Sequence, residues 1–438
     1  MPNINRRDLT KLLGGAGLMT ALPGLSLAQT NAPAVSGNAR PKVVIIGGGA
    51  GGGTLAHVLR RGSPEIQVTL IEAQTQYTTC FFSNLYIGGF RSLESLTHGY
   101  AGLANIGVNV VTGRAVGIDT AKKEVRLQSG QIIPYDKLAI SPGIDFKWGA
   151  IPGYTEEASL LMPHAYRGGA QSKLLKDQLA AMPDGGVVVL APPQNPYRCP
   201  PGPYERACMI AHYLKTEKPK SKLIIIDPKK SFSKQTLFME AFNDLYKGIV
   251  ELNLSNDIDD QAIKQLDPKT MQIETKAGLK IKANVANIIP PQQAGEIARL
   301  AGCTDGDWCP INAENFASTK VQDVYVIGDS SIAGDMPKSA FSANSHAKAV
   351  SNDLEAILAG KPKYPSRYRN TCWSMIGPAS SVKIGANYGA RDGKVTAIGN
   401  FISKTGEDSK TREKSLKESQ GWYAGMIAEA FNKRVDVI

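Results

Sequence analysis

Three cysteines lie in surroundings that suggest chemistry rather than packing alone. Cys80 lies in the aromatic segment 77–84, Cys199 lies in the proline-rich segment 191–203, and Cys372 lies far along the chain. The thiolate is the nucleophilic and redox-active form of cysteine, and a nearby positive charge favours it. Neither Cys-x-x-Cys nor Cys-x-x-Cys-His occurs, which disfavours a thioredoxin-type dithiol, a zinc ribbon and a haem attached to this chain.

The remaining cysteines and the histidines give weaker signals. Cys303 and Cys309 lie in a turn-rich segment and are interpreted as structural, and their pairing and that of Cys208 are open. No metal site is predicted, because the histidines are too scattered to suggest a ligand cluster. They include His98, His164, His212 and His346.

A glycine-rich loop gives the first binding signal. Gly47, Gly49 and Gly52 follow the apolar run 42–46 with the G-x-G-x-x-G spacing of dinucleotide-binding folds. The first glycine permits a tight turn, the second lets a pyrophosphate approach the backbone, and the third lets the next helix pack on the sheet. Glu72, at the end of the following strand, is placed to accept hydrogen bonds from a ribose. The loop therefore predicts a bound dinucleotide, with a ligand-free loop as the alternative.

Short apolar runs predict the elements that position these residues. Such runs are typical of buried parallel strands. In the first unit the predicted strands are 42–46, 66–71, 135–140 and 324–327, with helices at 54–61 and 338–359. In the second unit the predicted strands are 187–190 and 223–226, with a helix at about 204–215.

The second unit lacks a recognisable phosphate-binding loop. Its first strand leads into 191–203, where prolines remove backbone N–H donors that a pyrophosphate would need. The electron donor is therefore predicted to be something other than a nicotinamide. Because Cys199 lies in this loop, a small donor that reacts with sulfur is favoured.

These patterns predict an α/β fold with two Rossmann-like dinucleotide-binding-type domains and a smaller C-terminal α+β domain. The last region is treated as separate because the composition changes beyond Pro362 and no clear period follows. The predicted boundaries are 29–40 for a linker, 41–150 with 290–362 for the first domain, 151–289 for the second and 363–438 for the third.

The N-terminal segment 1–28 resembles a signal peptide. The pair Arg6-Arg7 precedes a short run rich in Gly, Ala and Leu, and Ser26-Leu27-Ala28 provides small residues for a cleavage site. The arginine pair is typical of twin-arginine export, which predicts a periplasmic protein; a disordered leader is the alternative. No other stretch has the roughly 18 apolar residues of a membrane span. The formal charge of +11 comes without a dense basic run, which does not favour a nucleic-acid partner.

Several segments resemble the flavoprotein subunit of flavocytochrome c sulfide dehydrogenase. The similarity extends in order over nearly all of 41–430, and the sulfide:quinone oxidoreductases are more distant relatives of the same kind. The most specific segments are 77–84, 197–206, 336–345 and 370–372. In addition, Ser141-Pro142-Gly143 and 324–329 resemble the second and third FAD signatures of disulfide-reductase-like flavoproteins.

The resemblance implies FAD as the cofactor and suggests which residues hold it. Cys80 would bond covalently to the flavin 8α-methyl group, with a small buried hydrophobe as the alternative for this residue. Gly143 and Asp329 would contact the cofactor, Asp329 through the ribityl chain. The helix that begins near Lys338 would direct its N-terminus at the flavin, where its partial positive charge stabilises the reduced ring.

The resemblance also implies that Cys199 and Cys372 form a redox-active disulfide. Hydrosulfide would attack one sulfur and leave a persulfide and a thiolate, whose electrons pass to the flavin. Glu205 is hypothesised to accept the proton, with a solvated carboxylate as the alternative. A merely structural bridge is the alternative for the cysteine pair.

The family further implies a c-type cytochrome subunit as electron acceptor, with 363–438 helping to form the interface. The expected protein is a periplasmic sulfide dehydrogenase flavoprotein within a hetero-oligomer. One alternative is a sulfide:quinone oxidoreductase, although 422–434 is only weakly amphipathic and no clear membrane-binding helix is evident. A second is an accessory flavoprotein that handles the thiols of a sulfur-oxidising complex. An NADH dehydrogenase is disfavoured by the proline loop.

Overall fold

The computed structural model describes residues 40–257 and 259–437, so the predicted signal segment 1–28 and, except for its last residue, the predicted linker 29–40 lie outside the described residues. Within the described ranges, the helices are α1 (Ala50–Gly62), α2 (Ser83–Ile87), α3 (Ala101–Asn105), α4 (Ala170–Ala181), α5 (Gly202–Glu217), α6 (Gln235–Asp244), α7 (Glu296–Leu300), α8 (Ala340–Ala359) and α9 (Ser409–Phe431).

The strands of the first half are β1 (Lys42–Ile46), β2 (Gln67–Glu72), β3 (Gln76–Thr78), β4 (Thr97–Gly99), β5 (Asn109–Thr112), β6 (Ala115–Asp119), β7 (Glu124–Leu127), β8 (Ile132–Pro134), β9 (Lys137–Ile140), β10 (Ile144–Phe146), β11 (Val187–Ala191) and β12 (Lys222–Asp227). Those of the second half are β13 (Val250–Leu254), β14 (Ile263–Asp267), β15 (Gln272–Thr275), β16 (Lys280–Lys282), β17 (Val285–Ile288), β18 (Gln292–Ala294), β19 (Cys309–Pro310), β20 (Val324–Val326), β21 (Ser331–Ile332), β22 (Arg367–Gly377), β23 (Ser380–Arg391) and β24 (Lys394–Ile402).

The first sheet is parallel and carries the glycine loop at its carboxyl edge. Its strand order is β20-β9-β1-β2-β5, with Ile46 aligned to Ile71 on one side and to Ile140 on the other. The strands are apolar runs because both faces are covered; β1 is buried from Val43 to Ile46. The carboxyl ends of parallel strands lie at the same edge of a sheet, so the loops after β1, β9 and β20 meet there. Ligands of open α/β sheets bind at this edge.

Helix α1 begins at Ala50, within the glycine run, and not at the predicted Thr54. The glycines at the start of this helix are required by close packing, and they do not extend the loop that precedes it. A Cβ on Gly52 would stand 1.8 Å from the carbonyl oxygen of Gly47, and one on Gly53 would stand 2.4 Å from that of Ala430. The helix can therefore approach β1 and α9 closely only with glycine at these turns.

The second sheet is also parallel, in the order β13-β12-β11-β17. Strand β11 leads into the proline loop, and α5 starts at Gly202, earlier than predicted, with a proline in its first turn. A short antiparallel pair, β10 with β18, lies at the two chain crossings between the units. Two parallel sheets with connecting helices confirm the predicted α/β class with two Rossmann-like units.

The C-terminal region is a three-stranded antiparallel sheet, β22-β23-β24, followed by α9. Strand β22 packs against α5, α6 and α8, so from Asn370 onward no residue of it is fully exposed and the exposed–buried alternation of its first residues is lost. Helix α9 is capped by Asp408, which accepts a hydrogen bond from the Thr411 N–H at 2.9 Å, and it packs against α1 and β23. No helix in the described ranges combines the length and apolarity needed to cross a bilayer.

Candidate active site

A cleft of about 1270 Å³ opens at the carboxyl edge of the first sheet. The loops after β1, β2, β9 and β20 form much of its wall. Among the residues that line it are the predicted cofactor ligands Gly47, Gly49, Glu72, Cys80, Gly143 and Asp329. This large cleft therefore collects, on one surface, residues that are far apart in the sequence.

The glycine loop has the backbone geometry that a phosphate group needs. Gly47 has a φ of +95°, and a Cβ there would stand 2.3 Å from the Ser141 carbonyl oxygen. Glu72 lies beside the loop, where its carboxylate accepts hydrogen bonds from the N–H of Gly48 at 2.7 Å and of Gln74 at 3.2 Å. These bonds hold the carboxylate at the cleft wall, where its remaining lone pairs can accept from a ribose.

Two predicted cofactor residues lie behind the wall and not in it. Gly52 packs α1 onto the loop, in keeping with the packing role that the motif gives its third glycine. Lys338 donates to the carbonyl oxygens of Asp329 and Ser331, both at 2.8 Å, and its ammonium lies 3.7 Å from the centre of the Trp308 ring. Burial lowers the pKa of Lys338 to about 8. The wall at this point is formed instead by Ser339, which caps α8.

Arg198 and Asp329 meet in the wall of the large cleft, with an N–O distance of 3.7 Å. Both side chains are nearly buried, yet the Nη2 of Arg198 and the Oδ1 of Asp329 have no hydrogen-bond partner. Buried polar atoms are rarely left unpaired. A flavin dinucleotide offers hydroxyl and carbonyl groups that would satisfy both atoms, so the cleft fits the cofactor that the sequence predicts.

A second, smaller cavity of about 110 Å³ lies next to the large cleft and contains the two cysteines predicted to act as a pair. Cys199 comes from the proline loop and Cys372 from β22. The residues that line both spaces are Cys80, Phe81, Arg198, Ser339 and Ala340. This thiol cavity therefore adjoins the predicted flavin site directly.

All six cysteines are free thiols in this structure, and the Cys199–Cys372 disulfide stays a prediction. Burial raises the pKa of both thiols, and the charge of Cys372 is the next cause of the raised pKa of Cys199. Both cysteines also line the same small cavity, so the fold brings them into one site although they are 173 residues apart in the chain.

Two backbone hydrogen bonds hold Cys199 in place, one to the first unit and one within its own loop. Its φ is +56°, in the left-handed region that a residue with a Cβ seldom adopts. Its N–H donates to the Lys338 carbonyl at 2.8 Å, and its own carbonyl accepts from the Gly202 N–H at 2.8 Å. Strained backbone of this kind is typical of functional sites.

Glu205 lies in the wall of the thiol cavity and is not a solvated carboxylate. One carboxylate oxygen accepts from the Asn84 side-chain amide at 2.7 Å, and the other accepts from the Met375 N–H at 2.8 Å. Burial nevertheless raises the pKa of Glu205 above its ordinary value. A carboxylate with a raised pKa beside a thiol is a suitable proton acceptor near neutral pH.

Two cationic residues near the thiols were not predicted from the sequence as site residues. Arg198 lines both spaces and neighbours Cys199 in the chain. Lys234 is buried at the start of α6 and donates to the Cys372 carbonyl at 3.1 Å and to the Ser374 hydroxyl at 2.7 Å. The only signal for Arg198 was its place beside Cys199, and nothing in the sequence around Lys234 marks it.

The other cysteines lie away from the large cleft. Cys208, on α5, is buried, and so are Cys303 and Cys309. Burial raises the pKa of Cys303, and it raises that of Cys309 to about 12. None of the three lines the large cleft or the smaller cavity, so they lie outside the proposed reaction site.

Two Rossmann-like units, with two thiols in a cavity that adjoins a dinucleotide cleft, define the class of flavin-dependent disulfide oxidoreductases. Family comparisons agree: residues 41–182 match the pyridine nucleotide-disulphide oxidoreductase model. Residues 172–290 match the central model of the sulfide dehydrogenase (flavocytochrome c) flavoprotein chain, and 364–431 match the flavin-binding model of flavocytochrome c sulphide dehydrogenase. The chain belongs to the family of flavocytochrome c sulfide dehydrogenase flavoproteins, which confirms the resemblance seen in the sequence. These matches support FAD as the cofactor.

Individual relatives differ in how much of the chain they match. The sulfide dehydrogenase (flavocytochrome c) flavoprotein chain of Chlorobaculum thiosulfatiphilum is 51% identical over 43 residues, which are 10% of this chain and 90% of that protein. The sulfide-quinone reductase of Aquifex aeolicus is 33% identical over 175 residues, 40% of this chain and 39% of that protein. The X-ray structure of the Aquifex aeolicus sulfide:quinone oxidoreductase has a TM-score of 0.66 at 19% identity and covers 90% of this chain and 92% of that one. At this identity the likeness shows a shared fold.

Proposed function

We propose that this protein oxidises hydrosulfide to sulfane sulfur or polysulfide and passes the electrons to a c-type cytochrome. The observation that carries the proposal is the shared wall between the thiol cavity and the large cleft. Cys199 and Cys372 lie in the smaller space, and Cys80 and Arg198 line both. Sulfur chemistry at the thiols would thus take place beside a bound flavin.

In the proposed complex, the chain's own residues hold the cofactor. The loop of Gly47 and Gly49, with the N-terminus of α1, would hold the pyrophosphate. Glu72 would accept from the ribose and Asp329 from the ribityl chain. FAD bound in this way supplies an acceptor for one electron pair beside the thiols. Cys80, which lines both spaces, would form the thioether to the flavin.

The thiols supply the site of attack. Hydrosulfide bonds to one sulfur of a Cys199–Cys372 disulfide as the S–S bond breaks, which gives a persulfide on one cysteine and a thiolate on the other. When the disulfide re-forms, the outer sulfur leaves as sulfane sulfur, one proton is released and one electron pair goes to the acceptor. Glu205, which the Asn84 amide orients, would accept that proton.

The family match supports the c-type cytochrome as the physiological acceptor. Quinone is the second candidate, because relatives with the names sulfide-quinone reductase and sulfide:quinone oxidoreductase also match. The cytochrome would form a hetero-oligomer with this chain, with 363–438 at the interface. The leader 1–28 would place the protein in the periplasm, the usual compartment for such an exchange.

Anaerobic titration with sulfide tests the proposal. The flavin absorbance of wild-type protein is expected to bleach with sulfide but not with NADH, and to recover when cytochrome c is added. Cys199→Ser and Cys372→Ser should each lose bleaching, whereas Cys208→Ser, at a buried cysteine outside the thiol cavity wall, should keep it. Lack of bleaching in the wild type would support the accessory flavoprotein instead. Recovery with a soluble quinone and not with cytochrome c would favour the second acceptor.

A further inference from the structure

Lys234 is a buried cation next to one member of the cysteine pair. Its side chain is 4% exposed, and its ammonium donates to the carbonyl oxygen of Cys372 and to the hydroxyl of Ser374. Its backbone is left-handed, with a φ of +61°, at the residue that precedes α6. A lysine held in an uncommon backbone conformation, with its charge inside the protein, has been positioned by the surrounding structure.

The charge of Lys234 has no carboxylate counterion among the described residues. Lys229, another buried lysine of the same unit, contrasts with it, since the Lys229 ammonium lies 2.7 Å from the carboxylate of Asp227. An ammonium without a counterion costs free energy inside a protein and favours the formation of an anion nearby. The closest candidates are thiols and one carboxyl group.

The ionisable groups around Lys234 come from several elements. Helix α5 contributes Glu205 and Cys208, the proline loop contributes Cys199, and β22 contributes Cys372. Strand β23 adds Tyr388, which faces Cys372. Of these groups, Cys372 has the largest favourable effect on the protonated form of Lys234. Among these groups, Cys372 is therefore the strongest electrostatic partner of Lys234, and the lysine also bonds to its backbone carbonyl.

We propose that Lys234 is a positioning residue that stabilises the thiolate of Cys372, so that hydrosulfide attacks Cys199. This inference rests on the proposed function and specifies its first step. The bond between hydrosulfide and the sulfur of Cys199 forms as the Cys199–Cys372 bond breaks. Cys372 takes the bonding electron pair and leaves as a thiolate, the hydrosulfide proton stays on the new persulfide, and no external oxidant or reductant is needed.

The asymmetry between the two thiols supports this direction. Lys234 is the first charge that lowers the pKa of Cys372, against the effect of burial. For Cys199 the charges of Cys372 and Glu205 act first, and both raise its pKa. In thiol–disulfide exchange the thiol with the lower pKa leaves faster. Cys372 is thus the better leaving group, and the persulfide forms on Cys199.

Alkylation of Cys372 tests whether Lys234 stabilises the thiolate through its charge or only holds the backbone of Cys372 through hydrogen bonds. The FAD-loaded Cys199→Ser protein leaves Cys372 as the single thiol of the pair, and iodoacetamide labelling of its peptide is followed by mass spectrometry across pH. Lys234→Gln keeps hydrogen-bond donors but removes the charge, Lys234→Arg keeps the charge, and Lys234→Met serves if the glutamine variant does not fold. Lys230→Met is the control, at an exposed lysine four residues earlier.

The charge-removing variant is expected to slow labelling of Cys372 at neutral pH by about tenfold, which corresponds to a rise of about one unit in its pKa. The labelling rate of the arginine variant should stay within about threefold of that of the Cys199→Ser parent. Lys230→Met should label at the rate of the parent. A glutamine or methionine variant that folds and keeps the parental pH profile would overturn the role of Lys234. So would an arginine variant that folds and labels as slowly as the glutamine variant.

Trapping the persulfide tests the direction of attack. Wild-type protein receives less than one equivalent of sulfide and then iodoacetamide, and the modified peptide is identified. The added sulfur is expected on the peptide of Cys199, and its presence on that of Cys372 would contradict the inference. Alkylation of the Cys199→Ser proteins needs no sulfide, so its result does not depend on the proposed function. The proposed function fails separately, if sulfide does not bleach the flavin of the wild type.

Discussion

The side-chain amide of Asn84 donates to the carboxylate of Glu205 at 2.7 Å, and the carbonyl oxygen of the same amide accepts from the guanidinium of Arg206 at 3.0 Å. Asn84 thus links the proposed proton acceptor to a buried cation that lies one residue further along α5. The arrangement fixes the carboxylate in the thiol cavity without a direct salt bridge, which leaves its pKa raised by burial.

Glu205→Gln should remove the proton acceptor while keeping the shape of the side chain. The rate of flavin bleaching by sulfide is expected to fall by roughly 10²-fold or more, and the acidic limb of its pH profile should disappear. In the wild type this limb arises because the group accepts protons only above its raised pKa. Glu217→Gln, at the exposed end of the same helix, is the control. A parental pH profile in Glu205→Gln would remove the residue from the mechanism.

Asp329→Asn should weaken FAD binding, because the amide cannot replace a charged acceptor between Arg198 and the ribityl chain. A hydrogen bond to a charged group contributes about 1.5–3 kcal/mol, so retention should fall by roughly 10- to 100-fold. The measurement is flavin content after gel filtration in a Cys80→Ser background, where a covalent bond cannot mask the loss. Asp392→Asn, at an exposed turn, should behave like the background protein. Equal retention in both variants would contradict the assignment.

Cys80→Ser should release the flavin from denatured protein. The wild type is expected to stay yellow on gel filtration in denaturant, because a thioether survives unfolding. The serine variant should bind flavin in the native state and lose it on denaturation, while Cys303→Ala, at a buried cysteine outside the cleft wall, should behave like the wild type. Release of free flavin from denatured wild type would show that the cofactor is not covalently held.

His98 should make the protein sensitive to acid. Burial lowers its pKa to about 4, with its Nε2 2.9 Å from the Tyr423 hydroxyl. The unfolded chain binds the proton near pH 6.5 and the folded chain only near pH 4, so stability falls as pH drops through this interval, by at most about 1.4 kcal/mol per pH unit.

Urea unfolding at several pH values measures the effect of His98. His98→Asn should show a shallower loss of stability than the wild type between about pH 6.5 and pH 4. The control is His57→Asn, at a half-buried histidine on α1, which should follow the wild type. Parallel curves for His98→Asn and the wild type would show that His98 is not the group responsible.

The sequence predicted the parts of the site that local patterns specify. The glycine loop could be predicted because backbone conformation restricts Gly47 and close packing restricts Gly52, and the cysteine segments because their neighbours are unusual. Lys234 could not be predicted, since its partner Cys372 lies 138 residues further along the chain. A lysine among polar residues looks like any surface lysine until the tertiary fold buries it.

The C-terminal region was the least predictable part of the fold. From Asn370 onward, strand β22 carries no alternation of polar and apolar residues, because helices pack on it and leave neither face fully exposed. Helix α9 extends over Ser409–Phe431, although only 422–434 was read as weakly amphipathic. Its buried residues recur every three or four positions, but Arg412, Ser415 and Ser419 in its first half are polar, so a pattern of apolar residues does not reveal the buried face there.

Helix α9 has a consequence for the order in which the protein is completed. Trp422 lies in the wall of the thiol cavity, Tyr423 hydrogen-bonds to His98, and the Ala430 carbonyl contacts the turn of Gly53. The glycine loop and both cysteines of the predicted pair therefore precede this helix in the chain and are synthesised before it. The wall of the thiol cavity is complete only when α9 has docked and placed Trp422.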